Sequence, residues 1–360
     1  MMRFCMGTRV VSGDGALDAL GEFGAKRVLV VSDPFFYENG TAARVAAASG
    51  AGETAFFHNI QPDPSVTLAA EGTRVLKDFG PELVVALGGG SAMDCAKAMV
   101  YFSGTGAPLA AVPTTSGSGS EVTDFAILTH NAVKHPLVDP RIRPHTAILE
   151  GSLLGSLPKS LIADGGFDAL SHALEALVAK GAGAISDCLA RDAFRRVFGL
   201  LPASFAGDKS VRLRLHEAST MAGIAFSQAG LGLCHAVSHS LGGMFHVPHG
   251  RLNAILLPAV ISCNAHAAGD RYARLAQEIG LVGAAQTLGV RNLKNALIRL
   301  RNELGMPGTL REAGIPVQTL RQRMDELVRS VLEDPCCGSN PITVKPFMVR
   351  SVLEEAAGRG

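Results

Sequence analysis

Between Arg27 and Thr115 the chain repeats one pattern, a short and almost unbroken apolar run followed by a stretch of helical spacing. RVLVVSD (Arg27–Asp33), ETAFFHNI, ELVVALGG and LAAVPTT read as strands, and TAARVAAASG, SVTLAAEGTRVLKDFG and SAMDCAKAMVYFSG between them read as helices. Strands that are apolar along their whole length, rather than at alternate positions, belong in a parallel sheet covered on both faces. Ligands of such sheets bind outside the carboxyl ends of the strands.

After Leu157 the pattern changes. LPKSLIADGGFDALSHALEALVAK, ISDCLARDAFRRVFGLLPASF, VRLRLHEASTMAGIAFSQAG and RYARLAQEIG carry helical spacing, and strand-like alternation nearly disappears. The expectation is two domains, an α/β dinucleotide-binding domain over residues 1–157 and an all-helical metal- and substrate-binding domain over residues 158–360. A cleft between two such halves is a natural place for catalysis.

Composition narrows the function classes. Of 360 residues, 47% are apolar and 18% charged, with a net charge of +1, which argues against disorder and against a polyanion-binding surface. Nucleic acid is not an expected partner. MMRFCMGTRVVSGDG lacks the apolar core of a secretory signal, no later charge-free run of about 18 residues and hence no membrane span is expected, and the chain reads as cytoplasmic. Seven cysteines without a C-x-x-C pair read as reduced thiols, because bridging the adjacent Cys336 and Cys337 would need a strained ring.

Two glycine-rich loops follow predicted strands. GGGSAMDCAKA (Gly88–Ala98) opens a helix, so its backbone amides can approach a pyrophosphate closely. Met93 stands where G-x-G-x-x-G needs glycine, and Ser91 with Asp94 has the spacing of a helix capping box. VPTTSGSGSEVTD (Val112–Asp124) follows the next strand; alone it reads as a turn, but two such loops on successive strand ends converge on one crevice. Asp33, closing the first long strand, suits either an adenosine ribose, favouring NAD over NADP, or a cap on the next turn.

Histidine is concentrated between His235 and His249, with His239 and His246 between them. Asp168 and His172 are four apart on a predicted helix, as are His235 and His239, so each pair lies within ~40° around the axis and ~6 Å along it. Gly242 and Gly243 are expected to end the second helix. One carboxylate and up to five imidazoles are therefore available, a donor set that suits Fe²⁺ or Zn²⁺ better than Mg²⁺ or Ca²⁺.

GGGSAMDCAKA, PTTSGSGSEVT, GFDALSHALEA, AGLGLCHAVSHSLGGMFHVPHGRLNAILLP and NPITVK, in this order, resemble the iron-containing (group III) alcohol dehydrogenase family across essentially the whole chain. FSQAGLGLCHAVSHSLGGMFHVPHG and GGGSAMDCAKAMVYFS look most like the 1-propanol dehydrogenases of propanediol-using bacterial microcompartments. The resemblance implies the dehydroquinate synthase-like fold, a Rossmann-like α/β domain plus a helical one. It implies Fe²⁺ or Zn²⁺ on Asp168, His172, His235 and His249, a proton-handling His239, a pocket-wall His246 and Phe226 lining the substrate pocket. NAD contacts would come from Asp33, Asp63, Gly89, Gly90, Ser91, Thr114, Thr115, Ser118 and Lys134. The implied reaction interconverts a short primary alcohol and its aldehyde, with glycerol or lactaldehyde dehydrogenase, or a silent nucleotide-binding assembly protein, as alternatives. The implied assembly is a homodimer, with a partner enzyme if the chain resides in a microcompartment. Two departures stand out: Gly165-Gly166-Phe167 precedes the first ligand where relatives carry threonine-glycine-methionine, and Glu150 replaces a frequent aspartate. The first is expected to reshape the pocket.

Overall fold

The computed structural model describes residues 4–130, 133–283 and 285–358. Its strands are β1 (Arg9–Gly13), β2 (Arg27–Ser32), β3 (Glu53–Phe57), β4 (Leu83–Gly88), β5 (Leu109–Pro113), β6 (Phe125–His130), β7 (Val133–Val138) and β8 (Thr146–Glu150). In the first part of the chain the helices are α1 (Pro34–Glu38), α2 (Thr41–Ala48), α3 (Val66–Phe79) and α4 (Gly90–Ser103). Beyond β8 come α5 (Lys159–Val178), α6 (Ala184–Ala206), α7 (Arg212–Ala229), α8 (Leu233–Phe245) and α9 (His249–Glu278). The chain continues through α10 (Gln286–Glu303), α11 (Val317–Gln322), α12 (Met324–Glu333), α13 (Cys336–Ser339) and α14 (Pro346–Ala357).

Six strands form one parallel sheet in the order β1-β8-β5-β4-β2-β3, and β6 and β7 form an antiparallel hairpin. The unbroken apolar runs have a direct cause. Leu29, Val31, Val84 and Ala86 pack into a cluster with Leu76, Met93 and Met99 of α3 and α4. Their neighbours Val28, Val30, Val85 and Leu87 join a second cluster with Ala42 and Val45 of α2. Successive side chains point to opposite faces, so a sheet buried on both sides needs apolar residues at every position.

From β2 the chain first extends the sheet to β3 on one side and then returns to β4 on the other. This makes the carboxyl ends of β2 and β4 the switch point at which such sheets bind ligands. Asp33 follows β2 and Gly88 ends β4, and a Cβ built on Gly88 would lie 3.7 Å from Asp33 Oδ2.

Two compact units emerge. One comprises Cys5–Leu157 with Arg212–Gly223, and the other comprises Met1–Phe4, Pro158–Val211 and Ile224–Gly360. Residues Arg212–Gly223, expected with the helical part, group instead with the sheet. Ser116 Oγ lies 2.9 Å from His216 Nδ1, Thr220 donates to Glu121 at 2.6 Å, and a Cβ on Gly223 would fall 2.9 Å from Gly119 Cα.

Within the helical unit α5 is buried from Ile162 to Val178 except for Gly165. Residues 252–269 of α9 carry no charged side chain, contrary to expectation, and the helix is long and apolar enough to cross a membrane. Its apolar window is 72% buried, which is the packing of a core helix. All seven cysteines are free thiols.

Candidate active site and metal centre

The two i, i+4 pairs and the first residue of α9 meet in the helical unit. Asp168 Oδ1, on α5, lies 3.8 Å from His172 Nε2, 3.8 Å from His235 Nε2 and 3.6 Å from His249 Nε2. These separations exceed hydrogen bonds. They approach the spacing of donors around one ion, since atoms about 2.0–2.1 Å from a tetrahedral centre sit roughly 3.3 Å apart. His235 Nε2 is buried and has no hydrogen-bond partner. A buried polar nitrogen facing a carboxylate beyond bonding distance fits a metal ligand, so the four residues fit Fe²⁺ or Zn²⁺.

Several contacts hold these side chains. His235 Nδ1 lies 2.6 Å from Glu175 Oε2, which leaves Nε2 turned toward Asp168. Asn253 Nδ2 donates to Asp168 Oδ1 at 2.9 Å. The His172 ring stacks on His235 at 4.5 Å and on Phe226 at 4.4 Å. Gly250 lets α9 start against α5, since a Cβ there would stand 1.9 Å from the Asp164 carbonyl oxygen, and Arg251 pairs with Asp164 at 3.0 Å.

Electrostatics favour positive charge at this point. Burial would raise Asp168, but the His172 charge, a contact with His235 and the His249 charge hold its carboxyl well below the usual range. Burial would lower His235, yet contacts with Asp168 and Glu175 raise it to about 9. A pocket that draws a proton to an imidazole in this way also attracts a cation.

Glu175 is a residue of this site that the spacing analysis missed. It accepts from Cys234 N–H on Oε1 and from Gly232 and His235 N–H on Oε2. Asn340, in the NPITVK tail, accepts from Leu233 N–H. Together they satisfy the amides at the start of α8 that a helix leaves unbonded. The available signal was Glu175 three residues after His172 on the same helical face. Asp334, 2.9 Å from His239 Nδ1, lies 95 positions away and had no such signal.

α8 continues through Gly242 and Gly243, and His246 ends it with φ 56°. His246, expected to line a pocket wall, is therefore an exposed cap. Gly166 faces Leu201 of α6 and Phe167 is buried in the core, so the departure at Gly165-Gly166-Phe167 falls on helix packing. Glu150 accepts from Leu17 and Ser152 N–H.

In the sheet unit the two loops touch. A Cβ on Gly89 would stand 3.1 Å from Thr115 Oγ1, and one on Gly90 would stand 3.3 Å from Ser118. Thr114 N–H donates to Gly88 O. Ser91 lies in the first turn of α4, and Gly89 is the cap. The expected capping box does not form; Asp94 accepts instead from Ser120 Oγ and Ile127 N–H, tying α4 to the second loop. Lys97, fully buried, donates to Ser120 Oγ, Thr123 Oγ1 and Phe125 O, and burial pushes it down to about 8. Asp33 caps α1 through Phe36 N–H, and Lys134 pairs with Asp63 at 2.7 Å.

Two touching glycine-rich loops at a sheet switch point, and a helical unit with three imidazoles around one carboxylate, define a nucleotide- and metal-binding architecture. The chain belongs to the iron-containing alcohol dehydrogenase family. Residues 7–151 match its N-terminal part, described as iron-containing alcohol dehydrogenase, and residues 162–357 match the Fe-containing alcohol dehydrogenase C-terminal part. The chain is 37% identical over 372 residues to the 1-propanol dehydrogenase PduQ of Citrobacter freundii, covering 99% of this chain and all of that one. It is also 37% identical to the bifunctional aldehyde-alcohol dehydrogenase AdhE of Escherichia coli K12, over 91% of this chain but only 42% of that protein's length. Its fold matches that of sulfoacetaldehyde reductase from Bifidobacterium kashiwanohense in complex with NAD+, with TM-score 0.90, 28% identity, and coverage of 100% of both chains.

Proposed function

We propose that the chain is an NAD(H)-linked, iron-dependent dehydrogenase that interconverts a short primary alcohol and its aldehyde, 1-propanol and propanal or ethanol and acetaldehyde. The observation that carries this is the convergence of three imidazole Nε2 atoms on Asp168 Oδ1, with His239 one helical turn beyond His235. Asp168, His172, His235 and His249 would hold the ion, which supplies Lewis acidity toward the substrate oxygen. Bound NAD supplies the hydride acceptor, and Asp33, Asp63, Gly89, Gly90, Ser91, Thr114, Thr115, Ser118 and Lys134 would hold it. Its preference over NADP rests on Asp33, whose carboxylate would repel a 2′-phosphate.

His239 donates from Nδ1 to Asp334, which leaves Nε2 to exchange the alcohol proton with solvent. Phe226, stacked on His172, presents an apolar wall that excludes water and suits an alkyl chain. A polyol would instead require polar partners for its extra hydroxyls. Residence in a microcompartment beside a partner enzyme accords with the full-length likeness to a 1-propanol dehydrogenase, and dimeric assembly is part of the same proposal.

The test is turnover of propanal, glycerol and lactaldehyde with NADH and NADPH, paired with metal analysis. His235→Ala is expected to lose iron and activity together, while His239→Ala keeps iron and slows about 100-fold. Propanal reduction that survives complete chelation, or fastest turnover on glycerol, overturns the proposal.

A further inference from the structure

We propose that His239, Asp334 and Cys336 form a second metal site, suited to Zn²⁺ rather than to Mg²⁺ or Ca²⁺, whose occupation blocks turnover. Their ligand atoms lie within 4.8 Å of one another, and all three residues are partly buried. The site is assembled from three places. His239 comes from α8, Asp334 follows α12, and Cys336 opens α13.

Asp334 is already aimed at the site. Its Oδ2 lies 2.9 Å from His239 Nδ1, and its Oδ1 is anchored by the Cys336 N–H at 2.8 Å. The neighbouring thiol is committed elsewhere, since Cys337 Sγ donates to Val331 O at 2.9 Å. The vicinal cysteines therefore have different tasks.

The donor set decides the ion. One sulfur, one imidazole nitrogen and one carboxylate oxygen suit Zn²⁺ and exclude Mg²⁺ and Ca²⁺. Asp168, His172, His235 and His249 offer only nitrogen and oxygen, so sulfur distinguishes the two sites. Binding breaks the Cys336 S–H bond and releases its proton to solvent as the zinc–sulfur bond forms, with no change of oxidation state. Zinc on His239 Nδ1 moves the ring proton to Nε2. The nitrogen proposed to accept the alcohol proton then becomes a donor, and turnover stops. The inhibition rests on the proposed role of His239; the binding does not.

The test uses iron-loaded protein titrated with Co²⁺, because cobalt bound to a thiolate shows near-ultraviolet charge-transfer absorption that nitrogen and oxygen ligands do not give. The band is expected in the wild type and in Cys337→Ser and is expected to be lost in Cys336→Ser. Absence of the band, or its persistence in Cys336→Ser, overturns the site whatever the enzyme's substrate. With excess Zn²⁺, each protein's propanal reduction is normalised to its own zinc-free rate. It should fall about tenfold or more in the wild type and Cys337→Ser and hold within about twofold in Cys336→Ser. Equal inhibition of all three overturns the blocking role and assigns the effect to exchange at the iron site.

Discussion

Glu175→Gln separates the orientation of the proposed metal ligands from the ligands themselves. Glu175 is 3% exposed and takes four donors: Cys234 N–H at 2.7 Å on Oε1, and Gly232 N–H, His235 N–H and His235 Nδ1 at 3.1, 3.3 and 2.6 Å on Oε2. Glutamine keeps one acceptor oxygen. Placed at the Oε2 position it retains three of these donors, but its NH₂ then faces the Cys234 N–H, donor against donor in a buried place. One unsatisfied buried donor costs about 1–3 kcal/mol, so the urea midpoint should fall by an amount equivalent to about 2 kcal/mol. Losing the carboxylate behind His235 also lowers the basicity of the ring, and metal affinity should drop about 10–100-fold. Iron retained after dialysis against graded chelator measures the second effect. If Glu175→Gln unfolds at lower urea yet holds iron like the wild type, Glu175 is a helix cap only and the carboxylate–imidazole reasoning fails.

Gly250→Ala would place a Cβ 1.9 Å from the Asp164 carbonyl oxygen, forcing the start of α9 and His249 away from α5. Stability should fall by about 1–3 kcal/mol and iron content should drop with it, measured by unfolding and metal analysis. Lys97→Met leaves Ser120, Thr123 and Phe125 O without their shared donor, and Asp94 without its charge partner. A loss of about 3–5 kcal/mol in urea unfolding and a raised KM for NADH are expected. His216 is buried and pushed down to about 4, so it stays neutral in the folded protein while the unfolded chain titrates near 6.5. Its contribution is present above pH 6.5 and is lost as pH falls toward 4, up to about 3 kcal/mol. Urea midpoints from pH 7 to 4.5 should fall less steeply in His216→Gln.

β2, β4 and β5 were legible because burial on both faces leaves a continuous apolar run. β8, equally buried between β1 and β5, was not, because TAILE offers only three apolar residues between Thr146 and Glu150. β1 and the β6–β7 hairpin were not, since half-exposed RVVSG and FAILTH carry mixed side chains. Gly242 and Gly243 read as a helix end because glycine costs about 1 kcal/mol within a helix. Gly242 is buried and the helix continues, leaving His246 to take the left-handed cap. Spacing found Asp168 with His172 because helical geometry fixes neighbours four apart. It had no means of finding Asp334 or Asn340, which packing brings to α8 from far along the chain.

The same i, i+4 spacing serves two ends, and the partners decide which. On α5 both members, Asp168 and His172, face the proposed metal centre. On α8 only His235 does, because Glu175 takes its Nδ1 and turns Nε2 inward. His239, one turn on, meets Asp334 instead, and its ring lies against His249 at 5.2 Å without joining the four. Two imidazoles on one helix are thus assigned by two carboxylates, Glu175 and Asp334. Exchanging either carboxylate should change which chemistry its histidine performs before it changes the fold. The Glu175→Gln iron measurement reads the first of these assignments.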